Sequence, residues 1–324
     1  MKSFEEVLTM VNTSLEQLSW EREPEGLYAP IAYTLSLGGK RIRPALTLMA
    51  CDLFCGSPGL AVKPALGIEV FHNFTLLHDD IMDKASLRRG KPTVHVKWND
   101  NTAILSGDVM QIVAYMLIAE TPAAVLKPVL DLFSRTAMEI CEGQQFDMEF
   151  EQRREVSAGE YMEMIRLKTA VLLGCALKTG ALVGGADSDD ADQLYAFGEN
   201  IGLAFQLMDD MLDVYGDEKT FGKKIGGDIL CNKKTYLLIH AMKLAQGATA
   251  EKLDRLLSGA VDSPEEKIRQ VTEIYDELGV PRIVMEAMEK HYQQAMGHLA
   301  RVKAEEARKS HLVQLAHHLM NRKE

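Results

Sequence analysis

Three aspartates, Asp79, Asp80 and Asp83, stand in the stretch LLHDDIMDKASLRRGKPTVH between Leu76 and His95, and Lys84, Arg88, Arg89 and Lys91 follow directly. At about 3.6 residues per turn, Asp79 and Asp83 share one helix face a turn apart, with Asp80 about 100° round from them. Like charges at that spacing repel. On a solvated surface the repulsion costs only a few tenths of a kcal/mol, but Phe74, Leu76, Leu77, Ile81 and Met82 predict a largely buried helix, where acidic groups need a cation. Carboxylates are hard oxygen donors, and one or two of them with positions left for water and phosphate suit Mg²⁺ better than zinc or calcium. A solvated acidic helix end is the alternative.

The same spacing returns at Asp209, Asp210 and Asp213 in FQLMDDMLDVY, again amid apolar residues from Leu203 to Val214. Two chance clusters of identical spacing are less probable than one, so the pair reads as facing walls of a single metal site. A third polar group is LGGKRIRP, where Gly38 and Gly39 free the backbone for close approach to a ligand and Lys40, Arg41 and Arg43 cluster before Pro44. Its shape suits a phosphate-binding corner; a helix C-cap followed by solvent-facing cations is the other reading. His72, seven residues before Asp79, falls on roughly the same helix face, although a lone His is more often a hydrogen-bonded core residue.

The elements that must position these groups read as helices throughout. Of 324 residues, 47% are hydrophobic and only 6% aromatic, and no proline interrupts the chain from Val129 to Ser263, which favours helix over sheet. Helical periodicity marks a first helix carrying Phe4, Val7, Leu8, Val11, Leu15 and Leu18, a second from Tyr28 to Leu37, and further segments at Leu46 to Phe54, Ala61 into the first aspartates, Thr102 to Ala119 and Val129 to Phe150, with Pro122 and Pro128 bracketing a loop. Tyr161 to Val183 carries Lys168 and Thr169, and a lysine there is either a snorkelling surface residue or a buried cation needing an anion. Ala191 to Val214 bears the second aspartates. YGDEKTFGKKIGGDILCNKKTY, rich in glycine and lysine, suits a lid or phosphate clamp, or is a plain connection. Four or five helices follow from Leu237. The expectation is one all-α domain over 1–324, a bundle of ten or more helices around a central cavity.

Net charge is 36 minus 47, or −11, which argues against nucleic-acid partners and anionic membranes, so any anion site must be local. The start, MKSFEEVLTM, lacks a signal-peptide core, and no uncharged apolar run of membrane-spanning length occurs; the expectation is a soluble, cytoplasmic protein without stable membrane insertion. Five cysteines without zinc-type spacing read as reduced, packed thiols. Neither a nucleophile elbow nor a Walker A loop is present. Two carboxylate clusters for metal, cations for phosphate and apolar lining together suit a diphosphate carried on something apolar.

In chain order, GGKRIRP, LLHDDIMDKASLRRG, the Gln-x-x-Asp-Asp-x-x-Asp within FQLMDDMLD, and FGKKIGGDI followed by NKKTY resemble the head-to-tail trans-prenyl diphosphate synthases, over about residues 36–236. The resemblance implies the isoprenoid synthase fold and a transferase that condenses isopentenyl diphosphate with an allylic diphosphate. It implies two or three Mg²⁺ ions on Asp79, Asp83 and Asp209, with Asp80, Asp210, Lys168 and Gln206 also catalytic. Lys40, Arg43, His72 and Arg89 would hold isopentenyl diphosphate. Arg88, Lys168, Thr169, Gln206, Lys223 and Lys233 would hold the allylic partner, with the choice between Lys223 and Lys224 open. Phe74, five residues before Asp79 and beside the smaller Thr75, would floor the product tunnel, which implies a farnesyl or geranylgeranyl product and favours the latter. A homodimer is also implied. A class I terpene cyclase is the nearest rival, but it lacks the Lys40 and Arg43 corner; a phosphohydrolase using His78 and Asp79 and a noncatalytic subunit are further alternatives.

Overall fold

Ser3 accepts the Glu6 N–H and Glu6 returns its carboxylate to the Ser3 N–H, so the chain enters its first helix, α1 (Phe4–Glu16), on a capping box. The structure, a computed structural model, describes residues 2–216, 225–259 and 263–320. It divides into two compact units, Met1–Ser134 with Cys175–Tyr195 and Val302–Leu312, and Arg135–Gly174 with Ala196–Arg301 and Val313–Glu324.

The first unit contains α2 (Glu25–Ser36), α3 (Ile42–Cys55), a 3-10 turn at Pro58–Ala61, α4 (Val62–Met82), a hairpin of β1 (Leu87–Arg88) and β2 (Lys91–Pro92), α5 (Val94–Lys97) and α6 (Asp100–Ala119). Its core takes Ile31, Leu48, Met49, Ile68, Phe71, Met110, Ile118, Phe133, Leu177 and Leu194, all fully buried. Helix α6 is apolar and long enough to cross a membrane. Its packing explains much of that character, since Ala103, Met110, Ala114 and Ile118 are buried within the unit while Leu105, Ile112 and Met116 remain exposed.

Four helices run through both units' residues: α7 (Ala123–Gln152), α9 (Val171–Val183), α10 (Ser188–Tyr215) and the last, α16 (Glu306–Met320). Helix α7 begins before Pro128 rather than after it. That proline sits early in the helix, where its missing N–H forfeits one bond. In the second unit α8 (Ala158–Ile165) opens on a second capping box at Ser157 and Glu160, and a π-helical turn, Arg166–Ala170, separates it from α9. The expected single helix from Tyr161 to Val183 is therefore interrupted at Lys168 and Thr169. Then come α11 (Gly227–Leu230), inside the expected polar loop, α12 (Tyr236–Leu244), α13 (Gly247–Leu257), α14 (Pro264–Glu277), α15 (Val280–Arg301) and α16 (Glu306–Met320). Among the described residues five helices run from Tyr236 onward, matching the pattern, and Ser263 caps α14 with Pro264 in its first turn. The chain is all-α, with the two-residue hairpin as its sheet among the described residues.

Candidate active site

In the first unit α4 delivers the aspartates at its C-terminal end: Asp79 and Asp80 lie in the last turn and Asp83 is the cap, its N–H on the Asp79 carbonyl at 2.9 Å. The three do not play one role. Asp80 is buried and accepts a fork from Arg88, Nε to Oδ2 and Nη2 to Oδ1, both 2.8 Å. Burial raises the Asp80 pKa despite that guanidinium. Arg88 also approaches Asp79, at 4.0 Å, so it stands over the carboxylate pair.

The hairpin explains how Arg88 and Arg89 arrive there. Arg88 pairs with Lys91, leaving Arg89 and Gly90 as a two-residue loop with φ of 52° and 73°. Both values are left-handed, as a type I′ turn requires to match strand twist. From this turn the Arg89 guanidinium reaches the Gly38 carbonyl. Gly39, at φ 136°, lies under it: a Cβ there would stand 2.8 Å from Arg89 Nη2. Glycine at 39 thus makes room for the Arg89 side chain, a neighbour other than the ligand expected there.

Arg41, the left-handed residue before α3, turns away from this cluster. It pairs with Glu69 of α4 at 2.5 Å and donates to the Leu35 carbonyl at 2.7 Å, with Asn73 completing the Glu69 oxygen at 2.9 Å. Arg43, one helical step on, has a different fate. Its Nη1 lies 3.2 Å from His72 Nε2, its Nε is buried without a partner, and burial pushes its pKa down to about 10. Burial and then Arg43 hold His72 far below its usual range, so the imidazole is neutral and accepts from Arg43 through Nε2. Burial, Arg41 and Arg88 likewise lower Arg89. Cations crowded this way favour a bound anion. Lys40 is exposed beside them. A pocket in this unit is lined by Asn73, Leu76, Asp80, Arg88 and Arg89 among others. Below the aspartates Phe74 is buried, with its ring 5.4 Å from Phe71 and 4.8 Å from His78, while Thr75 bonds back to the His72 carbonyl.

In the second unit α10 carries Asp209, Asp210 and Asp213, again with unequal roles. Asp210 is buried, accepts from the Tyr161 hydroxyl, and takes the Tyr236 N–H at 3.4 Å. Burial raises its pKa to about 7. Asp213 caps α11 by accepting the Asp228 N–H at 3.0 Å. Asp209, which precedes both, is half-buried. Lys168 sits on the π turn and pairs with Asp147 of α7 at 2.6 Å; it is the partly buried cation, with a carboxylate as its anion. Burial would raise Asp147, but Lys233 and Lys168 outweigh it and lower the pKa. Thr169 lies 3.4 Å from Gln206 Oε1. Gly143 on α7 faces the Lys168 backbone, and a Cβ on Gly202 of α10 would stand 2.6 Å from the Ala170 Cα, so two glycines let both helices close on the widened turn. Lys223 and Lys224 lie outside the described residues.

Sequence reasoning missed Tyr161, Asp147, Asp228 and Glu69 as parts of this machinery. Asp147 carried a usable signal, a charge in a packed segment; the others are ordinary residues until the fold pairs them. Among the described residues no three His, Cys, Asp or Glu side chains converge to hold an ion unaided. The chemistry of Asp79, Asp83 and Asp209 as hard oxygen donors suits Mg²⁺, which takes one or two carboxylates and completes its shell with water and substrate phosphates.

Helices bearing paired aspartates, each with arginine or lysine beside it, define the class as the all-α isoprenoid synthase fold. The polyprenyl synthetase family pattern matches residues 24–277, and the chain belongs to that family, as a short-chain trans-prenyltransferase. A geranylgeranyl diphosphate synthase of Methanosarcina mazei is 40% identical over 268 residues, covering 81% of each chain. A geranylgeranyl pyrophosphate synthase crystal structure superposes with a TM-score of 0.94 at 43% identity over 100% of both chains. That of Pyrococcus horikoshii superposes at 0.92 with 32% identity over 98% of both.

Proposed function

We propose that this protein is a Mg²⁺-dependent synthase that joins isopentenyl diphosphate head-to-tail (1'-4) to an allylic diphosphate and releases geranylgeranyl diphosphate in preference to farnesyl diphosphate. The observation that carries the reading is Arg43: a half-buried guanidinium whose buried Nε is unpartnered, resting on a neutral histidine rather than a carboxylate, so that its charge remains for an anion. A terpene cyclase has no use for such a second diphosphate corner.

Lys40, Arg43, His72 and Arg89 bind isopentenyl diphosphate, whose charge those cations offset without metal. Arg88, Lys168, Thr169, Gln206 and Lys233 orient the allylic diphosphate, with Lys223 as a further candidate. Asp80 serves by holding Arg88, and Asp210 by anchoring its turn. Asp79, Asp83 and Asp209 would hold two or three Mg²⁺ ions, which supply electrostatic stabilisation of the departing diphosphate. The allylic C1–O bond breaks, the isopentenyl double bond attacks C1 of the delocalised cation, and the departing diphosphate takes the proton whose loss restores an alkene. Lys and Arg donors fixed before the reaction stabilise the growing charge, commonly the largest catalytic contribution.

Phe74 and Thr75 limit product length. The exposed Leu105, Ile112 and Met116, on one face of α6, support a homodimer, and five free cysteines support a cytoplasmic setting. We also take the two units as one catalytic domain, since α7, α9, α10 and α16 run through both. Arg43→Gln is expected to raise KM for isopentenyl diphosphate by about tenfold or more, the loss of one charge-assisted bond, with the allylic KM unchanged. Asp79→Ala and Asp209→Ala should each lower kcat and leave both proteins folded by circular dichroism. Equal shifts of both KM values in Arg43→Gln would count against the assignment.

A further inference from the structure

Lys267 is buried on α14, remote in sequence from every group assigned above. A buried ammonium is strongly unfavourable unless its donors are met, and a carboxylate is the usual partner. Among the described residues Lys267 has no carboxylate. Its acceptors are the Leu230 carbonyl at 3.2 Å and Asn232 Oδ1 at 2.7 Å. Packing alone does not call for a cation here, since an apolar side chain would fill the space without the desolvation cost.

The two acceptors belong to one device. Helix α11 ends in a Schellman turn: the Asn232 N–H meets the Ile229 carbonyl at 3.2 Å and the Lys233 N–H meets the Asp228 carbonyl at 2.9 Å. Asn232 takes the left-handed position, φ 54°, that glycine fills most easily and asparagine next. Its amide is held at both ends, the oxygen by Lys267 and the nitrogen by the Leu257 carbonyl at 3.0 Å. The other end of α11 is tied to Asp213, whose carboxylate caps Asp228 and whose carbonyl accepts the Gly226 N–H at 2.6 Å. Lys233 leaves the turn directly after Asn232, and its charge is the first influence lowering Asp147 against burial.

We infer that Lys267 is a positioning residue for the allylic half of the reaction: by gripping the last carbonyl of α11 and the Asn232 amide, it fixes the direction in which Lys233 leaves the turn toward Asp147 and the α10 aspartates. The inference rests on the proposed assignment of Lys233 to the allylic diphosphate. Asp213 and Lys267 then act as two tethers on one short helix, one from the aspartate set and one from outside it.

Steady-state kinetics on the full chain test this, with Lys267→Met, Lys267→Arg and Asn232→Gly at saturating Mg²⁺ and with farnesyl diphosphate as the allylic probe. Lys267→Met and Asn232→Gly should each raise the allylic KM by about fivefold or more, the loss of about one positioning contact, with the isopentenyl KM within about twofold. Lys267→Arg should recover most of the difference. Asn232→Gly keeps the left-handed turn and removes only the amide, so it carries the test even if Lys267→Met fails to fold. Unchanged KM values in Asn232→Gly, or equal rises for both substrates, would overturn the positioning role. Failure of the underlying assignment is distinguishable, because Lys233→Gln would then leave the allylic KM at the wild-type value, whereas failure of the positioning role alone leaves Lys233→Gln impaired and Asn232→Gly unchanged.

Discussion

Asp80 and Asp210 hold the same place in their two aspartate sets, and each is withdrawn from solvent by a partner that spacing does not name. Arg88 forks onto Asp80 and Tyr161 donates to Asp210. The repeated spacing was legible because it lies in the sequence; the division of labour was not, because Tyr161 and Arg88 become partners only through tertiary packing. Asp210 carries a pH consequence. Its folded pKa, about 7, is raised above the carboxylate value near 4 of an unfolded chain, so its contribution to stability is present below about pH 4 and lost as pH rises through 7. Asp210→Asn removes that penalty. In EDTA its melting temperature should exceed the wild type's at pH 8 by several degrees, with the gain shrinking toward pH 4. A gain that is constant with pH would mean that Asp210 is ionised throughout.

Elements, rather than single residues, set the approach of the cations. The helices bearing both aspartate sets were legible from apolar periodicity, but the hairpin at Leu87–Arg88 and Lys91–Pro92 was not: it is two residues per strand, and its turn puts arginine where asparagine is the usual signal. The π turn at Lys168 had no local signature either. Gly143 and Gly202 report it only once α7 and α10 are seen to close upon it. Helix α4 also carries the length prediction. Phe74 sits more than one turn before Asp79, clasped by Phe71 and His78. Phe74→Ala should lengthen the isoprenoid product by at least one unit and lower stability by about 3 kcal/mol, the usual order for emptying a buried phenylalanine site. Chromatography of dephosphorylated products reads the first and thermal melting the second; an unchanged chain length would remove Phe74 from that role.

At the scale of the whole molecule, a chain of net charge −11 handles two polyanionic substrates by concentrating its cations locally. Arg41 shows how selective the concentration is: Glu69 pairs with it, while Arg43, two residues on, rests on His72 and leaves its Nε unpartnered. On the proposed function, both aspartate sets and the basic corner serve one condensation. Its most direct measurement is the product formed from Mg²⁺, labelled isopentenyl diphosphate and each of dimethylallyl, geranyl and farnesyl diphosphate in turn. Label should appear in geranylgeranyl diphosphate, formed only when both substrates are present and lost in both Asp79→Ala and Asp209→Ala. Consumption of the allylic diphosphate alone to a hydrocarbon or alcohol, with isopentenyl diphosphate untouched, would contradict it.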